Sequence, residues 1–337
     1  PLDGSVSLIN IILTPRTAMH PGYYNWLFHT TLFADEFYKW GHGIVADLWT
    51  TRWQEMKSIS VPVPEYAEQE RIAAFLDAEC AEIDAVLEKT RASIEEYKKL
   101  KQAVITQAVT KGIRGDRPMK NSGIEWIGDI PESWEVSSVR YIGQLQNGIS
   151  KGGEFFGKGF PFVSYGDVYK NYELPHSVSG LIDTTEDERA TYSVEYGDIF
   201  FTRTSETIEE VGFSCVCKRS IPNATFAGFI IRLRPFCADE KILTDYAKYY
   251  FRGEHIRAYL VKEMNLVTRA SLGQTLLKGM SVIVPPKSAQ KEIAEYLDDK
   301  CADIDALVAK KQQYLTEIEN YKKSLIYEYV TGKKEVV

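Results

Sequence analysis

QERIAAFLDAECAEIDA (69–85) and QKEIAEYLDDKCADIDA (290–306) are two copies of one stretch within this 337-residue chain. At an offset of 221 residues, ten of the seventeen positions are identical. The match continues without a gap to Thr110 in the first copy and Thr331 in the second. Unrelated segments rarely align in this way over such a length, so the chain is organised around an internal repeat.

Each copy of the repeat predicts one long helix. Apolar residues recur at alternating spacings of three and four, which is typical of a coiled-coil seam when it persists over several heptads. Prolines precede each helix, and Gly112 and Gly332 follow the two ends, as start and stop signals do. The predicted seam residues are Leu76, Cys80, Ile83, Leu87, Leu297, Cys301, Ile304 and Val308.

The two predicted helices are suitable partners for each other. A heptad pattern of this length needs a second helix to cover it. Because a whole domain separates the copies, an antiparallel pair is geometrically easy. At about 1.5 Å per residue, each helix would be roughly 65 Å long. The alternative is that each helix belongs to a separate globular domain.

Between the helices we expect an α+β domain with a curved, mostly antiparallel sheet. It opens on the turn-rich NSGIEWIGDIPESWEV (121–136), and a helical stretch lies at 243–262. Alternating runs predict strands at FPFVSYGDVY (160–169), YGDIFFTRT (196–204), FSCVCKR (213–219) and FAGFIIRLRP (226–235).

Residues 1–64 correspond to only the last part of such a domain. SVSLINIILTPR (5–16) parallels TFAGFIIRLRP (225–235), and HPGYYNWLFHTTLF (20–33) parallels the helix near Leu243. No segment parallels residues 121–220, so we expect the front of the first domain to be missing, either in a fragment or in a short form. The predicted order is a partial domain (1–64), a helix (65–112), a complete domain (113–286), a second helix (287–332) and a tail (333–337).

Composition narrows the class of protein. Hydrophobic residues make up 44% and charged residues 26%, which is ordinary for a globular chain with buried cores. No apolar run approaches the roughly 18 residues of a membrane span, and the first residues lack the basic start of a secretory signal. Five cysteines without a framework spacing favour a reduced, cytoplasmic chain. We therefore predict no membrane partner.

The charge permits a local nucleic-acid surface without predicting one. The formal net charge of −7 argues against nucleic acid as a partner, but binding depends on the local field and not on the average. Between residues 211 and 278 there are 11 Lys or Arg against 5 Asp or Glu, a surplus of 11 − 5 = 6.

No catalytic motif stands out. The chain has no G-x-x-x-x-G-K-[ST] phosphate loop and no Asn- or Asp-Pro-Pro-aromatic signature of amino-methylating enzymes. The five histidines show no metal spacing. Cys215 and Cys217 alternate along a predicted strand, where buried thiols explain them better than a metal site does. Cys80 and Cys301 share one seam position and are predicted to be core residues. We predict no catalysis, no metal and no cofactor.

The glycine-rich loop NGISKGG (147–153) carries the first candidate DNA contacts. Lys151 and the backbone amides could hold a phosphate, and the loop leads into the predicted strand that carries Ser164 and Tyr165. An ordinary loop would have the same composition.

Two further loops offer an arginine beside hydroxyl groups. The strand that contains Phe201 ends in Arg203, Thr204 and Ser205, where arginine can grip a guanine edge and hydroxyls can reach phosphates or bases. The alternative is a solvated loop with Arg203 paired to Glu206 or Glu209. The second loop, 267–274, would be a plain connection if it does not bind DNA. Its candidates are Arg269, Ser271 and Gln274, with Arg52 in the rough counterpart of the first domain.

The domain order and three motifs resemble the DNA specificity subunits of type I restriction–modification systems. NSGIEWIGDIPESWEV resembles the opening of their target recognition domains, and YGDIFFTRT resembles their central strand and loop. The V-P-x-P junction followed by Q-x-x-I-A-x-x-L-D resembles the start of their spacer helices. The likeness covers the whole chain apart from the missing front, which puts reading of the first half-site in doubt.

The resemblance implies a non-catalytic subunit with several partners. Each recognition domain would read one half of a split sequence in double-stranded DNA, and the antiparallel helices would fix the spacing. Methyltransferase subunits would dock on the helices, and restriction and translocase subunits would supply ATP-driven cleavage. One rival hypothesis is a coiled-coil scaffold that does not bind DNA. Another is a fused restriction–methylation enzyme, which the absent motifs disfavour.

Overall fold

The computed structural model of the protein describes residues 12, 14–41, 51–115, 117–205, 211–264 and 270–336. The chain divides into two compact units. One unit combines residues 1–96 with 307–337, and the other comprises residues 97–306.

The first unit is helical in the residues that the structure describes. Its elements are α1 (Pro21–Phe28), α2 (Thr31–Lys39), α3 (Trp53–Met56) and the first part of α4 (Tyr66–Lys111). Pro21 stands in the first turn of α1, where its missing N–H is tolerated. Thr30 caps α2, because its side-chain oxygen accepts a hydrogen bond from the backbone N–H of Phe33. Most of the stretch 5–16, predicted to parallel a strand, lies outside the described residues.

The second unit is α+β, as predicted. Its strands are β1 (Met119–Asn121), β2 (Asp129–Pro131), β3 (Glu135–Ser138), β4 (Gly143–Asn147), β5 (Phe156–Val163), β6 (Gly180–Ile182), β7 (Ile199–Thr202), β8 (Thr204–Ser205), β9 (Ser214–Val216), β10 (Thr225–Phe226), β11 (Ile230–Pro235), β12 (Ala270–Ser271) and β13 (Ser281–Val284). Its helices are α5 (Tyr165–Lys170), α6 (Glu186–Thr191), α7 (Thr244–Tyr250), α8 (Glu254–Glu263), α9 (Gln274–Gly279) and the first part of α10 (Lys287–Val330).

The sheets of this unit are mostly antiparallel, which confirms the prediction. Four strands form an antiparallel sheet in the order β4-β11-β7-β9. A second sheet has the order β10-β5-β6, in which β10 runs parallel to β5. The short pairs β1-β2, β12-β8 and β13-β3 complete the described strands.

The four-stranded sheet separates two hydrophobic cores. Successive side chains of a strand point to opposite faces, so the buried neighbours Phe200 and Phe201 on β7 belong to different clusters. Phe200 meets Phe226 with ring centroids 5.3 Å apart, and Phe201 meets Phe251 at 5.3 Å on the other side. Burial on both faces of the sheet explains why the sequence of β7 is a continuous run of mostly apolar residues.

Ion pairs between the two long helices establish their antiparallel direction. In the first unit, the Lys322 Nζ lies 2.6 Å from the carboxylate of Asp84. In the second unit, the Lys101 Nζ lies 2.6 Å from that of Asp305. Asp84 corresponds to Asp305, and Lys101 to Lys322, at the 221-residue offset of the repeat. The same contact is therefore made twice, and the predicted antiparallel pair is confirmed.

Most of the predicted seam positions are inaccessible to solvent. Ile83 and Val308 are half-buried. The buried ones are Leu76, Cys80, Leu87, Leu297, Cys301 and Ile304. Burial raises the pKa of the Cys301 thiol to about 11, so this sulfur is a neutral packing group at neutral pH.

Several predicted elements differ from the structure, among them one strand and one helix. The predicted strand 160–169 ends at Val163, because Ser164 and Asp167 form a capping box that starts α5. The predicted helix 243–262 is two helices, α7 and α8, which are separated at Gly253. A Cβ at Gly253 would lie 2.6 Å from the ring of His255, so this close approach requires glycine.

Candidate nucleic-acid interface

The segments that the sequence singled out as candidates meet at one end of the strands of the four-stranded sheet. Asn147 at the end of β4 lies opposite Ile231, and Thr202 at the end of β7 lies opposite Ile230. Hence β4 and β7 end where β11 begins. We call this the loop edge and define it as residues 147–150, 203–205, 227–229 and 270–274.

Arg203 is held on both sides by backbone hydrogen bonds. Its N–H donates to the carbonyl of Phe229 at 2.9 Å, and its carbonyl accepts from the N–H of Leu272 at 2.7 Å. Arg203 is half-buried as a residue, and its guanidinium has no hydrogen-bond or ion-pair partner among the residues that the structure describes. Glu206 and Glu209, the alternative partners considered from the sequence, lie outside those residues.

The strand pair β8-β12 brings the second and third candidate loops together. Thr204 lies opposite Ser271, whose side chain is exposed. The side-chain amide of Gln274 donates to Asn147 Oδ1 at 3.0 Å, which ties this loop to the end of β4. Arg269 lies outside the described residues, and so does the side chain of Ser205.

Lys151 is engaged within the protein. Its Nζ lies 2.6 Å from Glu188 Oε2 and donates to the carbonyl oxygen of Asp183 at 2.8 Å. The same ammonium lies 4.9 Å from the centre of the Phe155 ring. The hydrogen bond from Lys151 lowers the pKa of the Glu188 carboxyl, so both groups are charged and paired. A phosphate contact by Lys151 stays a prediction, and it requires this pair to open.

Ser164 and Tyr165 begin a helix instead of continuing a strand. The Ser164 hydroxyl donates to Asp167 Oδ2 at 2.7 Å. The ring of Tyr165 stacks on Tyr169 with centroids 5.9 Å apart. Because the Ala227 N–H donates to the carbonyl of Val163, Ser164 follows directly beside the turn 227–229 of the loop edge.

Arg52 lies in the first unit, whereas the other candidates belong to the second. It is exposed and immediately precedes α3, and its backbone N–H donates to Glu55 Oε2 at 2.8 Å. Its neighbours in the predicted counterpart loop, Trp49 and Thr50, lie outside the described residues.

Part of the positive surplus between residues 211 and 278 is internal. Arg252 donates to four backbone carbonyls, among them Ser214 at 2.6 Å. Arg234 forms a bidentate pair with the fully buried Asp198 at 2.6 and 2.7 Å. These guanidinium groups hold loops and strands together, so the local charge count overstates the cationic surface.

One exposed aromatic residue at the loop edge was not among the candidates predicted from the sequence. Phe229 is 64% exposed, although its stretch had been predicted as one strand, 226–235. The stretch is instead two strands, and Phe229 lies in the turn between them. The Ala-Gly pair at 227–228 is the signal that could have indicated this turn.

Other kinds of site find no support in the described residues. There, no group of three His, Cys, Asp or Glu side chains is placed to hold a metal ion. Burial raises the pKa of the Cys217 thiol to about 12, and Cys215 is buried as well. Within the same residues, no helix combines the length and the apolar character that a membrane crossing demands.

A family model matches residues 131–319, which is more than half of the chain. The model is that of the type I restriction modification DNA specificity domain. The chain belongs to this family. The resemblance inferred from the repeat and its motifs is thereby confirmed.

Members of this specificity family in several organisms are similar to the chain. The EcoKI specificity subunit of Escherichia coli (strain K12) is 24% identical over 281 residues, which cover 82% of this chain and 58% of the relative. The StySPI specificity subunit of Salmonella potsdam is 24% identical over 276 residues, with the same coverage. The MjaVIII specificity subunit of Methanocaldococcus jannaschii is 25% identical over 285 residues, 83% of this chain and 63% of the relative. The chain thus spans about three fifths of the length of these relatives.

A solved structure supports the fold of this specificity-domain protein. It is described as the structural basis underlying complex assembly and conformational transition of the type I R-M system. The likeness has a TM-score of 0.71 at 15% identity and covers 92% of this chain and 70% of the other. The predicted combination of α+β domains and two long helices is confirmed.

Proposed function

We propose that this chain reads a specific sequence in double-stranded DNA as a non-catalytic specificity subunit of a type I restriction–modification complex. The observation that carries the proposal is the loop edge of the second unit. There, a guanidinium without a partner among the described residues lies beside hydroxyl and amide groups, in a member of a DNA specificity family.

The groups of the loop edge suit the major groove of DNA. The Arg203 guanidinium can donate two hydrogen bonds to O6 and N7 of a guanine, and the hydroxyls of Thr204 and Ser271 can reach phosphates or base edges. The Gln274–Asn147 hydrogen bond holds two amides in one orientation, and such amides recognise adenine. Because the backbone at Arg203 is fixed on both sides, little backbone conformational entropy is lost on binding.

We further propose a split target and a larger assembly. Residues 113–286 would read one half-site, and the domain that contains Arg52 would take part in reading the other. Methyltransferase subunits would dock on α4 and α10, and restriction and translocase subunits would join them. The matched ion pairs of the two helices support the docking of one equivalent subunit on each unit, because they give each unit an equivalent helical surface. Such a complex would act on DNA in the cytoplasm.

Selection from a randomised duplex library tests the proposal. The wild-type chain is expected to enrich one sequence motif, and Arg203→Ala should weaken binding to the enriched duplex about 5- to 150-fold and relax specificity at one position. Arg219→Ala is the matched control, since Arg219 is exposed and follows β9 at the opposite end of the sheet. Equal binding by the two variants would remove Arg203 from the site.

A methyl-transfer assay separates the proposal from its rivals. The isolated chain, supplied with S-adenosylmethionine and the enriched duplex, should transfer no methyl group and cut no DNA. Methyl transfer by the chain alone would contradict a non-catalytic role. If no sequence is enriched, even with methyltransferase subunits present, a scaffold that does not read DNA is the better explanation.

A further inference from the structure

We propose that Phe229 is a specificity-determining residue that contacts the 5-methyl group of a thymine in the major groove. The inference rests on the proposed DNA-reading function and adds an apolar element to the polar groups of the loop edge. Phe229 lies in the turn between β10 and β11, directly beside Arg203.

A single exposed aromatic residue is ordinary on a protein surface, so its exposure alone decides nothing. What distinguishes Phe229 is the number of segments that fix its turn. Its carbonyl accepts from the N–H of Arg203 at 2.9 Å. The N–H of Gly228 donates to Ile149 at 2.8 Å, and that of Ala227 donates to Val163 at 3.1 Å. Three separate parts of the chain therefore hold the backbone that carries this exposed ring in place.

Glycine at position 228 lets the turn approach the 147–153 loop closely. A Cβ on Gly228 would lie only 2.1 Å from the Ser150 hydroxyl oxygen. Ala227 is buried, at 8% exposure. Phe229 is consequently the one side chain of this turn that solvent, or a ligand, can reach over most of its surface.

The neighbours of the ring indicate which feature of DNA it meets. Arg203 and the Gln274–Asn147 pair offer donors and acceptors that match base edges in the major groove. The apolar group displayed in that groove is the thymine methyl, and phenylalanine is one of the residues that contact it. A ring on a rigid turn can meet a methyl group without losing much conformational freedom.

The test replaces thymine by deoxyuridine, which removes the methyl group and leaves base pairing intact. The probe is the duplex enriched by the wild-type chain, with each thymine replaced in turn. One replacement should weaken binding by the wild-type chain about fourfold, as expected for the loss of one buried methyl group. Phe229→Ala should weaken binding to the unmodified duplex at least as much and should then be insensitive to that replacement. Phe229→Leu, which keeps an apolar side chain, should retain part of the sensitivity.

Phe236→Ala is the matched control. Phe236 is also 64% exposed, but it follows the other end of β11, roughly 20 Å away at about 3.4 Å per residue. The Phe236→Ala variant should bind the enriched duplex with wild-type affinity and show the wild-type sensitivity to deoxyuridine.

Three results would overturn the inference. They are wild-type affinity in Phe229→Ala, unchanged sensitivity of that variant to deoxyuridine, and a loss of the same size on an unrelated duplex. If the wild-type chain enriches a sequence but Phe229→Ala behaves like Phe236→Ala, only this inference fails. If the wild-type chain enriches nothing, the DNA-reading function fails and the inference falls with it.

Discussion

Replacing Gln290 with leucine should loosen α7 and the segment before it from the start of the second long helix. Gln290 is fully buried at the start of α10. Its Oε1 accepts from the N–H of Leu243 at 2.7 Å, and its Nε2 donates to the carbonyls of Pro285 at 2.8 Å and Lys241 at 2.9 Å. One side chain therefore joins the start of α7, the segment before it and the start of α10.

The magnitude follows from the groups that leucine would leave unpaired. The Leu243 N–H and the Pro285 carbonyl are buried or partly buried, and each orphaned group costs about 1–3 kcal/mol. Lys241 is exposed, so its carbonyl can bind water instead. Burial of the leucine side chain offsets about 1–2 kcal/mol. From the middle of each range, the expected net loss in the free energy of unfolding is about 2–3 kcal/mol.

Hydrogen exchange measures this loss locally. Amides of α7 that exchange through opening of the unit should exchange about 30- to 150-fold faster in Gln290→Leu, the equivalent of the expected free energy. Gln69→Leu should do the same at α1 by a smaller factor, because Gln69 makes two corresponding bonds instead of three. Gln313→Leu, at an exposed position of α10, is the control and should leave exchange unchanged. Equal exchange in Gln290→Leu and Gln313→Leu would refute the reasoning.

Three further predictions concern stability, each measured by urea unfolding. Burial lowers the pKa of His255 to about 3, so the unfolded chain binds a proton at a higher pH than the folded chain does. This histidine therefore leaves the free energy of unfolding unchanged above about pH 6.5 and lowers it by about 2 kcal/mol at pH 5. The variant His255→Phe should not show that loss. Leu297→Ala should cost about 2–5 kcal/mol at a seam position with no exposure, whereas Asp305→Asn, at the exposed partner of the pair with Lys101, should cost about 1 kcal/mol or less. Asp198→Asn should cost about 3–5 kcal/mol, because it removes the buried carboxylate that faces Arg234, and an effect below 1 kcal/mol would contradict that role.

The long helices could be predicted because their signals are local and repeated. Heptad spacing, flanking prolines and terminal glycines all act within a few residues of the positions they determine. The repeat also indicated that the two long helices pack against each other, since two matched seams in one chain can cover each other. The ion pairs Lys101–Asp305 and Lys322–Asp84 could not be read directly, because they depend on the register of the pair.

The candidate site was less predictable because it depends on pairing between distant segments. Thr204 meets Ser271 across 67 residues of chain, and no local pattern specifies that short strand pair. Lys151 was predicted to face a phosphate from its glycine-rich loop, but its partner Glu188 lies on α6, 37 residues away along the chain. Ser164 was assigned to a strand because the apolar run before it outweighed the capping box formed with Asp167.

The two units share their anchoring contacts although their spacing has changed. The Tyr23 hydroxyl donates to the carbonyl of Val330, and the Tyr246 hydroxyl donates to that of Val109. The two acceptor residues are 221 positions apart in the sequence, but the two donor residues are 223 apart. The segment between the donor tyrosine and the long helix that follows it is therefore two residues longer in the first copy than in the second. A buried hydroxyl needs its acceptor, whereas a surface connection tolerates a change in length. The same asymmetry would leave the side chains of the loop edge free to differ between related domains, because burial constrains the anchor, whereas only the proposed DNA contacts would constrain the side chains of Arg203 and Phe229.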